Sequence, residues 1–173
     1  MGRIIIASLI LSPVSHSFGR NLESAPVASV FRSVLPKVKS EAKVPVLLPS
    51  KLPSTVKEQE IKVVDGAGTG NGYEVSLYYE EGCGNACFAG FFSAKRGEKP
   101  APEFSDKVVR LSNGIKGYYT AKTCGVSCAP PQIEWLYEGV LYTVQFKVNG
   151  RDDRQDEAEI VALANSAIRG GAR

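Results

Sequence analysis

Four cysteines in two matching loops carry the first chemistry this sequence offers: Cys83-Gly84-Asn85-Ala86-Cys87 and Cys124-Gly125-Val126-Ser127-Cys128. They are all the cysteines of the chain, and each loop reads Cys-Gly-x-x-Cys. Thiols so spaced support three chemistries. They form disulfides that staple a fold, they ligate zinc as a set of four, or they cycle as a redox dithiol. The choice depends on the redox compartment, and that depends on the N-terminus.

The N-terminus has the three parts of a secretory signal. Arg3 supplies positive charge, Ile4 to Leu11 form a short apolar run, and Pro13 precedes the small residues Ser15-His16-Ser17. We expect a signal peptide over residues 1–17, cleaved after Ser17, with Gly19 as the alternative. The apolar run is too short to span a bilayer, and no other stretch comes close, so no transmembrane span is expected. The expected location is exported, either periplasmic or extracellular. There, thiols oxidise before they bind metal, which disfavours zinc. Reactive thiols sit at helix N-termini beside positive charge, whereas Glu80 and Glu81 precede Cys83 and apparent strands flank both loops. The expectation is two local disulfides, Cys83–Cys87 and Cys124–Cys128. Each closed loop of five residues contributes about 2 kcal/mol in the chain-entropy model. Long-range pairing would contribute nearer to about 4 kcal/mol but needs the loops to meet. If the strands simply alternate in direction, the loops fall at opposite ends of the sheet, which favours local pairing.

Signal cleavage would also remove His16, the only histidine. Serine and cysteine catalysis through histidine, and histidine metal sites, are then excluded. Carboxylates remain for acid–base work, with Glu80, Glu81, Glu134 and Glu138 as candidates. A histidine-free hydrolase and a thiol redox protein are therefore the enzymatic alternatives to a non-catalytic domain. The acidic stretch from Asp152 to Glu159 lacks the glycine and ligand order of a calcium loop, and helix capping explains it better. Gly66-Ala67-Gly68-Thr69-Gly70-Asn71-Gly72 lacks the Lys-Ser/Thr of a phosphate loop and precedes a strand, so it reads as a hairpin loop. No cofactor or metal is expected. The seven tyrosines suit half-buried strands better than an exposed glycan- or peptide-binding face. A net charge of +3 without a block of like charge gives no nucleic-acid partner. The densest basic stretch, Arg32 to Lys62, has seven Lys or Arg against three Glu, which a solvated helix and linker explain.

The elements that must hold these groups follow from periodicity. The 173 residues, 43% hydrophobic, suffice for one domain with a real core. Val27, Val30, Phe31 and Val34 predict an amphipathic helix over residues 25–42 that Pro36 ends or kinks. This makes residues 18–42 a helix or linker, and residues 43–170 a single α+β domain. Val44 to Pro53 reads as an edge segment. Ile61–Val64 and Tyr73–Glu80 read as strands. Phe88–Ala94 also does, with Phe88 and Phe92 on one face and Phe91 on the other. Residues 96–105 read as a polar loop. Asn113-Gly114 predicts a hairpin between Lys107–Leu111 and Ile115–Ala121. Glu138-Gly139 joins Ile133–Tyr137 to Val140–Val148, with Trp135 on the core face. Asp153 or Asp156 caps a final helix that Gly170-Gly171 stops. The expected fold is an antiparallel sheet with hairpins, a C-terminal helix on one face and an N-terminal amphipathic helix.

Several stretches also carry a family resemblance: Val44-Pro45-Val46-Leu47-Leu48-Pro49-Ser50, Asn113-Gly114-Ile115-Lys116-Gly117-Tyr118, Ile133-Glu134-Trp135, Gly139-Val140-Leu141-Tyr142 and Leu163-Ala164-Asn165-Ser166-Ala167. With Leu35-Pro36 they resemble uncharacterised exported proteins of bacteria, of the cyanobacterial kind. The last third is also similar to a small extracytoplasmic domain of some anti-sigma and sporulation proteins, whose pattern lacks the cysteine loops. The resemblance implies an α+β domain and an exported life, and it assigns no catalytic residue. The expected function is an exported, non-catalytic envelope domain, binding or structural, stapled by disulfides. Its partner is unknown, with an envelope protein or a glycan as the candidate ligands.

Overall fold

The computed structural model of the chain describes residues 26–173 with the exception of Cys83. The expected signal peptide lies outside the described residues. In chain order the elements are α1 (Leu35–Glu41), β1 (Val63–Thr69), β2 (Gly72–Tyr78), β3 (Phe88–Arg96), β4 (Lys107–Arg110), β5 (Lys116–Thr120), β6 (Thr123–Cys124), β7 (Cys128–Ala129), β8 (Gln132–Tyr137), β9 (Val140–Phe146) and α2 (Asp153–Gly170). Seven strands form one antiparallel sheet in the order β1-β2-β3-β9-β8-β5-β4, and β6 with β7 makes a separate small hairpin. Both helices pack on the same face of the large sheet, so the fold is α+β.

Alternation places the core. Tyr73, Val75 and Leu77 of β2, Ile133 and Trp135 of β8, and Tyr142, Val144 and Phe146 of β9 are buried beneath the helices. Trp135 stacks on Tyr142 across the hairpin, with ring centroids 5.5 Å apart. The turn that joins β8 to β9 holds Glu138 at φ 51° and Gly139 at φ 73°, the left-handed pair that matches strand twist. Ile160, Leu163, Ala164, Ala167 and Ile168 of α2 complete the core at helical spacing. The cap of α2 is Asp152, whose side chain accepts from the Gln155 amide at 2.9 Å. Asp153 and Asp156 lie within the first turn instead.

Three local expectations are overturned. The predicted single helix over residues 25–42 is a 3-10 turn at Ser29–Phe31 followed by α1, and Pro36 sits in the first turn of α1. Proline lacks only an amide that has no partner there, so it starts the helix that it was expected to break. The predicted glycine loop is strand: β1 runs through Gly66 and Gly68. A Cβ on Gly66 would lie 2.9 Å from Val38 Cγ2, and one on Gly68 would press on the Ala42 amide and Glu41. These glycines let α1 lie directly on the strand. Lastly, residues 44–48 are not an edge. They run buried across the helical face, where the Tyr73 hydroxyl donates to the Leu47 carbonyl at 2.9 Å and accepts its amide at 3.1 Å. The Tyr142 hydroxyl donates to the Pro45 carbonyl at 2.9 Å. The segment satisfies its backbone through these tyrosines and through Arg173, whose amide donates to the Val46 carbonyl and whose guanidinium donates to that of Leu48, rather than through a neighbouring strand.

The topology overturns a fourth. From β1 the direction alternates along the sheet order, so β3 and β4 run the same way although they follow each other in sequence. Residues 97–106 therefore carry the chain back along the length of the sheet. This extra reversal changes the parity on which the opposite-ends expectation rested. Both β2, which precedes the first cysteine loop, and β5, which precedes the second, finish at the same end of the sheet.

Candidate functional site

The two cysteine loops flank the end of β9, on the sheet face that no helix covers. On one side the first loop is closed by a 3-10 turn at Gly84–Ala86, with the Cys87 carbonyl accepting from the Tyr79 amide at 2.8 Å. On the other, Cys124 and Cys128 are cross-strand partners in the β6–β7 hairpin and form a disulfide, with Cα atoms 4.0 Å apart. Cys87 is also disulfide-bonded. Cys83 lies outside the described residues, so the expected Cys83–Cys87 bond is not described. Long-range pairing of Cys124 and Cys128 is overturned by their mutual bond. That bond removes two of the four thiolates a zinc site needs. Nor does the Cys124–Cys128 hairpin supply a helix N-terminus to activate a thiol.

Between the loops lies a cavity of about 590 Å³, with Phe88, Phe91, Gln145 and Lys147 from the sheet and Cys128 to Pro130 from the second loop. Lys147 continues β9 by donating its amide to the Ala89 carbonyl at 2.7 Å. Its ammonium reaches the Ala86 carbonyl of the first loop at 3.2 Å. The Gln145 amide nitrogen reaches the Pro130 carbonyl of the second at 3.3 Å. Adjacent side chains of one strand thus hold both loops.

Phe88 shares this face with Phe91, their ring centroids 6.3 Å apart, and not with Phe92 as alternation predicts. The cause is a bulge. Leu77 pairs with Gly90 but Tyr78 pairs with Phe88, so Ala89 is an extra residue in β3. A bulge inverts side-chain parity beyond it. Phe92 stays in the core against Phe31, at 5.2 Å. The tyrosines, by contrast, are all buried or half-buried.

Phe91 also lines a second, polar cavity of about 230 Å³, bordered by Glu74, Ser93, Glu98, Glu134 and Thr143. Glu134 sits below the 97–106 segment. Burial pushes its carboxyl above the usual glutamate range, hydrogen bonds from the Ala101 backbone and the Thr143 side chain pull it down, and the Glu98 charge pushes it up. Gln132 donates to it at 3.2 Å. Glu98 in turn holds Lys95, at 3.5 Å.

The four carboxylates that the sequence nominated do not converge. Glu80 and Glu81 follow β2 at the cysteine-loop end, Glu138 occupies the turn at the other end, and Glu134 lies between. Glu74 and Glu134 share a cross-strand row, separated by Ser93 and Thr143. Three strand spacings put their backbones about 14 Å apart. Their side chains nevertheless border one cavity with Glu98. The described residues form a small non-catalytic-looking domain with the Cys124–Cys128 disulfide. Among them no cluster of three or more His, Cys, Asp or Glu is placed to hold a metal ion. No helix among them is long and apolar enough to cross a membrane.

Sequence reasoning missed Phe88, Phe91, Gln145, Lys147, Glu74 and Glu98 as lining residues. Odd-numbered positions of β9 were legible as the polar face; the bulge and the meeting of the loops were not. Comparison of the chain with protein-family models, with curated proteins and with solved structures finds no match.

Proposed function

We propose that the chain is an exported binding domain of the cell envelope that takes an extended peptide segment of a protein on the open sheet face, between its cysteine loops. The observation that carries this reading is the cavity of about 590 Å³ with two half-buried phenylalanines, walled by both loops. A concave apolar site with a few placed polar groups is the usual form of a binding site. The loops serve it as rigid walls, one stapled by Cys124–Cys128 and the other by the bond we assign to Cys83–Cys87. The tripartite N-terminal pattern and the disulfide both support export. A peptide fits better than a glycan. Sugars stack on flat, presented rings, whereas Tyr78 meets Phe88 at 71° and Phe88 meets Phe91 at 43°.

Two measurements test it. Expression of the full chain in a bacterial host, followed by fractionation and intact-mass analysis, should yield a periplasmic product shortened by the signal and carrying two disulfides. Full-length, reduced protein confined to the cytoplasm would overturn export. Panning a random-peptide display library against the folded protein should enrich a peptide family whose binding is lost in Ala129→Trp. Ala129 is exposed on the groove wall, so the bulky ring fills the cavity without touching the core. Enrichment indifferent to that change, or no enrichment, would overturn peptide binding at this site.

A further inference from the structure

We infer that the recognised peptide carries an apolar side chain and, two residues away on the same side, a lysine or arginine whose cation enters the Glu74–Glu98–Glu134 cavity. This rests on the peptide-binding reading above and adds its specificity.

The two cavities share Phe91, and the cross-strand pair Gln132–Gln145 contributes one residue to each. They are successive stations along β3 and β9. At the cysteine-loop end the ionisable side chain is Lys147, and no carboxylate lines that cavity. At the other end three carboxylates meet one ammonium, Lys95, already committed to Glu98. That end carries an excess of negative charge, and Glu134, half-buried there, lacks a cationic partner among the described residues. A second feature points to a ligand. Ser93 is only 8% exposed, yet its hydroxyl opens to this cavity with no hydrogen-bond partner among the described residues. A hydroxyl that faces the cavity without a protein partner, beside a half-buried carboxylate, marks a place for a donor. A guanidinium or ammonium supplies charge and several N–H donors together.

Spacing gives the register. Along β9, Lys147, Gln145 and Thr143 face the groove at intervals of two residues, about 7 Å per step. An extended peptide lying along this strand has the same period. It offers an acidic residue to Lys147, an apolar one to Phe88 and Phe91, and a basic one to Glu134. The pattern is Asp-x-Leu-x-Arg or its reverse.

Fluorescence anisotropy with labelled peptides bearing Asp-x-Leu-x-Arg and Arg-x-Leu-x-Asp, each against its Arg-to-Gln counterpart, tests the inference. At least one arginine peptide should bind about tenfold tighter than its glutamine counterpart, as a charge-assisted hydrogen bond in a partly desolvated site does. The double substitution Glu134→Gln and Glu74→Gln preserves shape and should erase most of that difference, while Ala129→Trp should abolish binding of every probe. Equal affinity of arginine and glutamine peptides, still lost in Ala129→Trp, would overturn the charge specificity and leave peptide binding standing. A tenfold preference that survives the double substitution would also overturn it. If none of the probes binds, the inference falls, and with a failed panning the binding reading falls with it.

Discussion

Single hydroxyls separate groups that hold the fold from groups that merely sit in it. The Tyr73 hydroxyl both donates to and accepts from Leu47, and burial raises its pKa well above the ordinary tyrosine range. The Tyr119 hydroxyl is buried with no partner among the described residues. Burial first, then the charge of Asp156, pushes Tyr119 up to about 12. Tyr73→Phe strands a buried amide and carbonyl and should cost about 1–3 kcal/mol in urea unfolding. Tyr119→Phe removes an unpaired group and should be neutral or slightly stabilising. Equal losses would contradict this division. Glu134 makes a further prediction at the same scale. Its folded pKa is raised, so the folded state holds the proton more tightly than the unfolded chain. Its favourable contribution is complete below the unfolded value and is lost as pH rises through the folded one. Glu134→Gln should therefore match wild-type stability near about pH 3.5 and exceed it at about pH 7. Unfolding curves that stay parallel between those conditions would refute the shift.

At the scale of elements, β1 shows how a local motif yields to packing. Its glycines look like a loop, and β-propensity disfavours them. They form strand because α1 needs bare backbone to lie on, and Glu41 of α1 accepts the Gly68 amide at 2.8 Å in return. That contact also occupies part of a sheet edge. Gly68→Ala should lift α1 from the strand, costing about 1–3 kcal/mol. Hydrogen exchange should show the loss concentrated in the amides of α1 and β1, with β8 and β9 unaffected. A uniform loss, or none, would mean that α1 does not bear on Gly68. The same logic explains Asp156. Its side chain is buried in the first turn of α2, where Oδ1 accepts the Gly150 amide at 2.9 Å and Oδ2 lies 3.5 Å from Lys122. One carboxylate thus ties the loop before α2, the helix and the stem of the second cysteine loop together, and capping passes to Asp152. The other sheet edge, β4, is short and ends in Lys107 and Arg110, charges that discourage pairing with another chain.

For the whole molecule the decisive fact is one reversal of the chain. Residues 97–106 return along the open face, and this brings both cysteine loops to one end. A nitroxide on Val126→Cys, at the fully exposed tip of the second loop, should broaden the amide signals of Gly84 and Ala86 in the first. It should spare Gly139, which lies beyond the far end of β9, about 24 Å of strand from Phe146. The opposite pattern would restore the arrangement in which the loops lie at opposite ends. Much of the fold was legible beforehand. The β8–β9 hairpin, the amphipathic stripe of α2, the Asn113-Gly114 turn and Trp135 in the core all follow from residue period and turn chemistry, which act over a few neighbours. The sequence by itself thus determined the class of fold and the strands that the cysteines join. Only the tertiary structure decided where those strands lie. The direction of β4, the bulge at Ala89 that turns Phe88 to the open face, and the groove between the loops depend on pairing between residues far apart in the chain, and no local periodicity encodes the register of distant partners.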